Sequence, residues 1–447
     1  MNIDPTIFKA YDIRGTTPEQ LSGETAYHIG AALAAYLRPK TVAVGRDMRV
    51  SSDELAENLI RGLNDSGSDV VDLGLCSTDG LYYAVGKFDY DGGVMITASH
   101  NPKQYNGFKI CRAKAEPLSG ELGLRQMLEA IQKDQHLVTI PSRGVTIRKD
   151  IAENYAAHCL SFIEVSKVKP YRIVIDAGNG MAGLTLPPVL GKLPIQVTPL
   201  YFELDGSFPN HPASPIELEN LADLQKKIAE TKADFGVAFD GDADRMFLVD
   251  EFGKQLGGDM VTALVAKSLL AKHPGETVLY NLICSRAVPG LIERSGGKAI
   301  RTRVGHALIK PLMKKHNAVF GGEHSGHFYF RDFWFADSGL IAFLVCLELI
   351  STEGKPLHEM VKQIDPYVRS GEINSRVNSI AETIARVKQA FVAGRQDEID
   401  GLTVTFDDFW FNLRPSNTEP LLRLNVEADN ATLLKTKTDE ILKIIRG

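Results

Sequence analysis

Phe235-Gly236-Val237-Ala238-Phe239-Asp240-Gly241-Asp242-Ala243-Asp244-Arg245-Met246-Phe247-Leu248-Val249 reads as two buried strands with a charged loop between them. Uncharged runs of four or five apolar and small residues suit strands covered on both faces. The loop sets carboxylates at alternate positions beside an arginine. The same arrangement occurs twice more. Residues 93–97 form an apolar strand that delivers Ser99-His100-Asn101-Pro102, with Phe108-Lys109-Ile110-Cys111 as the strand beyond. Ala318-Val319-Phe320 enters Gly321-Gly322-Glu323-His324-Ser325-Gly326-His327, and Phe328-Tyr329-Phe330 leaves.

Outward from each loop, the flanking segments alternate strand and helix. The first pass starts with a strand at 41–45 and a helix opening at Ser51, with Glu54 three residues on as a capping box and Leu55, Leu59 and Leu63 on one face. A strand at 69–75 follows. The second pass has strands at 171–176 and 195–200 around the glycine-rich Ala177-Gly178-Asn179-Gly180, and the third has strands at 277–280 and 298–303 around a helical piece at 288–292. Such alternation implies α/β domains with largely parallel pairing, whose ligand loops gather at strand C-termini. The last stretch breaks the pattern. Strands at 403–406, 410–413 and 421–426 and an amphipathic helix at 433–445 make a smaller α+β module. The expected fold is α/β: three similar mixed α/β domains at 1–145, 146–250 and 251–367, and a smaller C-terminal α+β domain at 368–447.

Composition sets the limits on partners. A chain of 447 residues exceeds one ordinary core, and 44% hydrophobic with 24% charged residues matches a soluble globular protein. A formal charge of -6 argues against nucleic acid as the main partner, so any anion site must be built locally. Five cysteines with no CxxC pair and an odd total point to reduced thiols and a cytoplasmic location. The first residues lack a basic segment followed by an apolar one, and the longest apolar run, 340–350, falls short of the roughly 20 residues a membrane helix needs. No membrane association is expected.

The loops carry the chemistry. Asn101-Pro102 stops the serine loop from continuing as strand or helix, which presents Ser99 as a nucleophile; the plainer alternative is that Ser99 and Asn101 make only local bonds to the backbone. Asp240, Asp242 and Asp244 are hard oxygen ligands suited to Mg²⁺ or Ca²⁺, against the alternative of a solvated acidic turn. An EF-hand is excluded, because Arg245 stands where that loop needs glycine and 246–249 reads as a strand. Mg²⁺ is favoured, being usually held by a few carboxylates together with phosphate oxygens. A phosphoryl group on Ser99 would bring about -1.5 to -2 charge, which three aspartates repel unless a divalent cation and basic side chains intervene. Lys109, Arg245 and Arg14 are the basic candidates. Glu323, Ser325 and His327 mix acceptors and donors in a way that suits neighbouring sugar hydroxyls. His306, after Gly305, is either an acid/base group or an ordinary hydrogen-bonded histidine. Arg414-Pro415-Ser416-Asn417-Thr418-Glu419-Pro420, with Arg423 beyond, is rich in donors for phosphate oxygens, though such a composition also describes surface turns.

Five motifs, in order, resemble those of the α-D-phosphohexomutases: Phe8-Lys9-Ala10-Tyr11-Asp12-Ile13-Arg14-Gly15, Thr97-Ala98-Ser99-His100-Asn101-Pro102, Asp240-Gly241-Asp242-Ala243-Asp244-Arg245, Gly322-Glu323-His324-Ser325-Gly326-His327 and Arg414-Pro415-Ser416-Asn417-Thr418. Ser-Gly-Glu-Ile-Asn-Ser at 370–375 and Phe-Asn-Leu-Arg at 411–414 are most similar to bacterial phosphomannomutases. The resemblance implies four domains around a central active-site cleft. It implies Ser99 as the phosphorylated catalytic serine, one Mg²⁺ held by the phosphoserine with Asp240, Asp242 and Asp244, and a catalytic group completed by His100, Lys109, Arg14, Arg245, His306 and His327. Substrate would be bound by Tyr11, Arg14, Gly305, His306, Glu323, Ser325, His327, Arg414, Ser416, Asn417, Thr418 and Arg423. The implied reaction is a reversible interconversion of mannose 6-phosphate and mannose 1-phosphate through a hexose 1,6-bisphosphate, which also serves as activator, in a monomer or homodimer. Glucose or glucosamine phosphates are the alternative substrates, and a phosphatase or a non-catalytic phosphosugar-binding protein the alternative functions. One departure stands out: several relatives have a substrate-contacting lysine where this chain has Ile283, so that contact is absent or supplied elsewhere, with Arg286 as the candidate.

Overall fold

In the computed structural model, which describes residues 3–137, 142–415 and 421–447, each strand-loop-strand unit belongs to its own mixed sheet. At 121–122 and 306–307 the description is of the backbone alone. Gly92–Ile96 lies parallel to Thr41–Arg46 and antiparallel to Tyr105–Arg112. Phe235–Phe239 lies parallel to Arg172–Asp176 and antiparallel to Met246–Val249. Phe320–Gly322 lies parallel to Thr277–Asn281 and antiparallel to Phe328–Phe330. The entering strands obey the expected parallel pairing and the leaving strands reverse it. Loop length explains this, since a parallel return needs a crossover of about a dozen residues or more and these loops are shorter. Every site loop therefore sits at the C-terminal end of a parallel strand. The strand Thr146–Arg148, placed with the second unit on the sequence, pairs with Asp69–Leu75 of the first sheet.

The helix Ser52–Asp65 buries Leu55, Leu59 and Leu63 as its spacing predicts, but Ser51 does not cap it. Ser51 already has helical dihedrals, and its hydroxyl accepts instead from Asn106 Nδ2 at 2.9 Å, a residue of the strand leaving the serine loop. The apolar run 340–350 lies within the helix Gly339–Glu353 and is buried in the core shared by the first three domains, and no helix among the described residues is long and apolar enough to cross a membrane. All five cysteines are buried free thiols.

One hydrophobic cluster runs from Ala43 and Met95 through Ile175 and Phe239 to Phe320 and Leu347, so the first three domains share a core. The fourth has its own, built from Val387, Phe411, Leu424 and Ile441 on an antiparallel sheet ordered Val368–Arg376, Leu421–Ala428, Phe409–Pro415, Leu402–Thr405, Arg395–Asp397. Polar contacts tie it to the third: Arg301 pairs with Asp397, and Val304 N donates to Asp400 Oδ2 at 3.2 Å. A domain with a separate core and a polar interface is the one free to move.

Candidate active site

The serine loop is held from below by a buried arginine. Ser99 is fully buried with φ 51°, a left-handed conformation that costs a non-glycine residue about 1–3 kcal/mol. Arg49 Nη2 donates to Ser99 O at 2.8 Å and Asn101 O at 2.7 Å, and Nη1 donates to Pro102 O and Tyr105 O, both at 3.0 Å. Charge-assisted bonds of this kind contribute about 1.5–3 kcal/mol each, enough to outweigh the strain. Arg49 is anchored by Asp47 at 3.1 Å, and both side chains are fully buried.

The acidic loop meets the serine loop back to back. A Cβ at Gly241 would lie 2.5 Å from Ser99 O, so glycine alone permits the approach. There Ser99 Oγ donates to Asp240 Oδ2 at 2.6 Å. Asp240, Asp242 and Asp244 are all buried, with ligand oxygens within 4.8 Å of one another. Lys109 Nζ donates to Asp242 Oδ2 at 2.7 Å and Asp244 Oδ2 at 2.5 Å, and Thr78 Oγ1 donates to Asp242 Oδ2 at 2.6 Å. Arg245 Nε lies 3.6 Å from Asp240 Oδ2. Burial, followed by the charges of Asp242 and Asp244, pushes the Asp240 carboxyl well up from its ordinary range. Asp242 Oδ1 and Asp244 Oδ1 are buried without a hydrogen-bond partner. Three converging hard oxygens, two of them unsatisfied, fit a divalent oxygen-seeking cation.

The remaining groups arrange around this pair of loops. His100 Nδ1 is 3.3 Å from Ser99 Oγ, and the charge of Arg245, then burial and Arg14, hold its imidazole well below its usual pKa, so it is neutral. Arg14 pairs with Asp12 and donates to Asn101 Oδ1. The third loop joins the second through a backbone bridge between Arg245 and His327, whose Nδ1 is 3.9 Å from Asp244 Oδ1. Glu323 accepts from Tyr329 Oη at 2.6 Å and from Gly305 N at 3.0 Å. Gly305 has φ 132°, and a Cβ there would lie 2.6 Å from Tyr11 Oη, so Tyr11, Gly305 and Glu323 form one wall. Ser325 is half-buried within the loop. In the fourth domain Arg414 Nη2 and Arg423 Nη1 converge on the two oxygens of Glu372, at 2.9 and 3.2 Å. The side chain of His306, and Ser416, Asn417 and Thr418, lie outside the described residues.

Sequence models of the phosphoglucomutase/phosphomannomutase α/β/α domains I, II and III match residues 5–136, 153–253 and 257–367, and that of the C-terminal domain matches 372–444. The chain belongs to the phosphoglucomutase/phosphomannomutase family. It is 40% identical to a phosphomannomutase of Salmonella montevideo over 452 residues, covering 99% of each chain. It is 41% identical to the phosphohexose mutases of Xanthomonas campestris pv. campestris over 444 residues, covering 98% of this chain and 99% of theirs. A crystal structure of a phosphoglucomutase/phosphomannomutase family protein from Burkholderia thailandensis superposes with a TM-score of 0.91 at 30% identity, over 100% of this chain and 98% of that one. An Aspergillus fumigatus N-acetylphosphoglucosamine mutase, solved with GlcNAc-6P and magnesium, shares the fold with a TM-score of 0.61 at 13% identity, over 99% and 96% of the chains. The protein is a phosphohexomutase, an intramolecular phosphotransferase.

Within this phosphohexomutase the structure places Arg286, the candidate to stand in for the lysine absent at Ile283, against the fourth domain. Its guanidinium donates to Asp407 O at 2.8 Å and Asp429 Oδ1 at 2.6 Å, lies 3.3 Å from Glu427 and sits 4.2 Å over the Tyr367 ring. Arg286 thus bonds to backbone and carboxylates of the fourth domain. Five residues that support the site went unread: Asp47, Arg49, Thr78, Asp337 and Glu372. Asp47 and Arg49 had a signal, two opposite charges directly after an apolar strand. Thr78 and Glu372 act on partners far along the chain, Glu372 from within the motif at 370–375, and Asp337 accepts from His327 ten residues before it.

Proposed function

We propose that this phosphohexomutase interconverts mannose 6-phosphate and mannose 1-phosphate through a phosphoserine at Ser99. The observation that carries the reading is the 2.6 Å bond from Ser99 Oγ to Asp240, in a cluster that also holds Asp242, Asp244 and Lys109. In the forward step the bond from phosphorus to Ser99 Oγ breaks while one to the free sugar hydroxyl forms, and the hydroxyl proton passes to a base. The resulting 1,6-bisphosphate reorients, and its other phosphoryl group returns to Ser99. Positioning and charge neutralisation carry most phosphoryl-transfer catalysis, which suits separate loops for charge, base and grip. Asp240, Asp242 and Asp244 with the serine phosphate would hold one Mg²⁺, which when bound supplies charge neutralisation. Lys109 and Arg245 add fixed positive charge beside Ser99. His327 and His306 are the proton-transfer candidates, with Arg14 and His100 ordering the serine loop. Tyr11, Gly305, Glu323 and Ser325 contact the sugar. Arg414, Arg423, Ser416, Asn417 and Thr418 grip the non-reacting phosphate, with Glu372 holding the arginine pair between turnovers. Buried thiols suit a cytoplasmic setting, where they stay reduced.

The mannose assignment rests on relatives named phosphomannomutase; relatives named phosphohexose mutases leave the hexose open, and the phosphoglucomutase in the family's description makes glucose phosphate the second substrate to test. A coupled assay of mannose, glucose and glucosamine 1-phosphates, with bisphosphate activator present, tests this. The highest kcat/KM belongs to mannose 1-phosphate, and a preference for either other sugar overturns the assignment. Ser99→Ala abolishes turnover in a folded protein; full activity there, or net release of inorganic phosphate by the wild type, refutes the mutase mechanism through Ser99.

A further inference from the structure

Behind His327 lies a chain of buried charges that the catalytic reading does not use. His327 Nδ1 is 2.9 Å from Asp337 Oδ2, and Lys310 Nζ is 2.7 Å from Asp337 Oδ1. Asp337 is 2% exposed and Lys310 4%. Both lie on the third domain's own elements, Lys310 in the helix His306–His316 and Asp337 in the strand Ala336–Asp337. An ionised carboxylate only accepts hydrogen bonds, so the imidazole nitrogen facing it must carry the proton. Lys310 keeps the carboxylate ionised: burial alone would raise its pKa, but Lys310 and then His327 outweigh it and hold it well below the usual range. With the Nδ1 proton directed at Asp337, Nε2 is the ring nitrogen left to exchange a proton.

The neighbours fix the carboxylate and the ring. Lys310 Nζ sits 4.3 Å from the centroid of Tyr82, a residue of the first domain's helix Thr78–Lys87. Asp79 of that helix accepts from Ser338 Oγ, next to Asp337, at 2.6 Å. The same helix supplies Thr78 to Asp242. On its other side the His327 ring lies nearly parallel to Tyr329, 24° between planes and 6.1 Å between centroids. Asp244, His327 and Asp337 also lie close enough to hold a cation among themselves. Lys109 on Asp244 and Lys310 on Asp337 already provide the positive charge there. A carboxylate that sets the tautomer of a working histidine is a recurrent device in general-base catalysis.

We infer that Asp337 and Lys310 are positioning residues for His327, fixing its ring with the proton on Nδ1 so that Nε2 exchanges a proton with the sugar hydroxyl. This rests on the proton-transfer role proposed above for His327, and the experiment separates the two. Nitrogen-15 spectra of the full-length protein labelled at histidine, with the His327 signals assigned through His327→Gln, show Nδ1 as the protonated nitrogen of the neutral ring. Asp337→Asn shifts the population toward the other tautomer and lowers kcat about 100-fold, with KM within about threefold, and Lys310→Met lowers kcat about tenfold. In the His327→Gln background Asp337→Asn has no further effect on kcat, which a merely structural residue would not obey. An unmoved tautomer in Asp337→Asn, or a full additional loss in the double variant, overturns the inference. So does metal binding that requires Asp337. Where Asp337→Asn fails to fold, Lys310→Met decides, and wild-type kcat there counts against the proposal. Wild-type kcat in His327→Gln removes the underlying role of His327 instead.

Discussion

Ser99 Oγ and Asp240 Oδ2 are 2.6 Å apart although 141 residues separate them in the chain. The hydroxyl is thereby held against the acidic loop before any phosphate arrives. Asp240→Asn removes one of three converging oxygens and the acceptor of Ser99. It lowers Mg²⁺ affinity at least tenfold by titration calorimetry and kcat by two orders of magnitude or more, and a chelator abolishes wild-type turnover until Mg²⁺ is restored. Unchanged Mg²⁺ affinity in Asp240→Asn would remove the aspartates from the metal site.

Arg49 supports the strained serine with bonds to four carbonyl oxygens, which only a planar fork reaches at once. Arg49→Lys keeps the charge that Asp47 needs but loses the fork, so the protein folds and kcat falls more than tenfold. Arg49→Met also leaves Asp47 buried and unpaired, a loss of about 3–5 kcal/mol that appears as a lowered melting temperature. Equal melting temperatures for the two variants would show that Asp47 does not depend on the arginine.

The three site loops were legible because each packs its chemistry into a few consecutive residues after an apolar strand. The supports were not. Arg49 acts on Ser99 from 50 positions away and Thr78 acts on Asp242 from 164; the charges of Asp47 and Arg49 after their strand mark a position but not its partner, and the stretch at Thr78 differs in no way from an ordinary helix start. The Ser51 cap failed for the same kind of reason, since Asn106, 55 residues away, claims its hydroxyl. Propensity and spacing report local competition only, and the winning partner comes from elsewhere in the first domain for Ser51 and Arg49 and from the second domain for Thr78. The antiparallel exits were implicit in loop length and went unused, because strand-helix alternation dominates the pattern.

His211 supplies a pH dependence of the fold outside the catalytic cluster. Its Nε2 is 3.0 Å from Asp176 Oδ2 and its Nδ1 is 2.9 Å from Pro212 O, so both ring nitrogens face acceptors and the charged form is favoured. Burial opposes this, but the bond to Asp176 and its charge prevail and raise the pKa above the ordinary 6.5. A group with a raised folded pKa contributes fully below its unfolded value, and its contribution is lost as pH climbs through the folded one. The melting temperature of the wild type relative to His211→Gln is therefore greatest at pH 6 and declines toward pH 9. A difference that grows with pH would contradict the assignment.

Arg286 and Arg369 converge on Glu427, which is 1% exposed and also accepts from Trp410 Nε1 at 2.8 Å. Arg369 reaches back to Asp259 at 3.4 Å and Asp365 at 2.8 Å, so the fourth domain is docked on the third by charge and not by shared apolar core. Removing Arg286 leaves Glu427 paired with Arg369 and Trp410, which protects the core of the fourth domain from an uncompensated charge. What weakens is the docking. Because Arg414 and Arg423 ride on that domain, Arg286→Ala raises KM several-fold with kcat little changed, and it increases hydrolysis of the phosphoserine by admitting water, read as inorganic phosphate released per turnover. Small-angle scattering of the same variant shows a larger radius of gyration that saturating bisphosphate restores. Wild-type KM with unchanged scattering would mean that Arg369 alone sets the docking, and Arg369→Ala would then carry the whole effect.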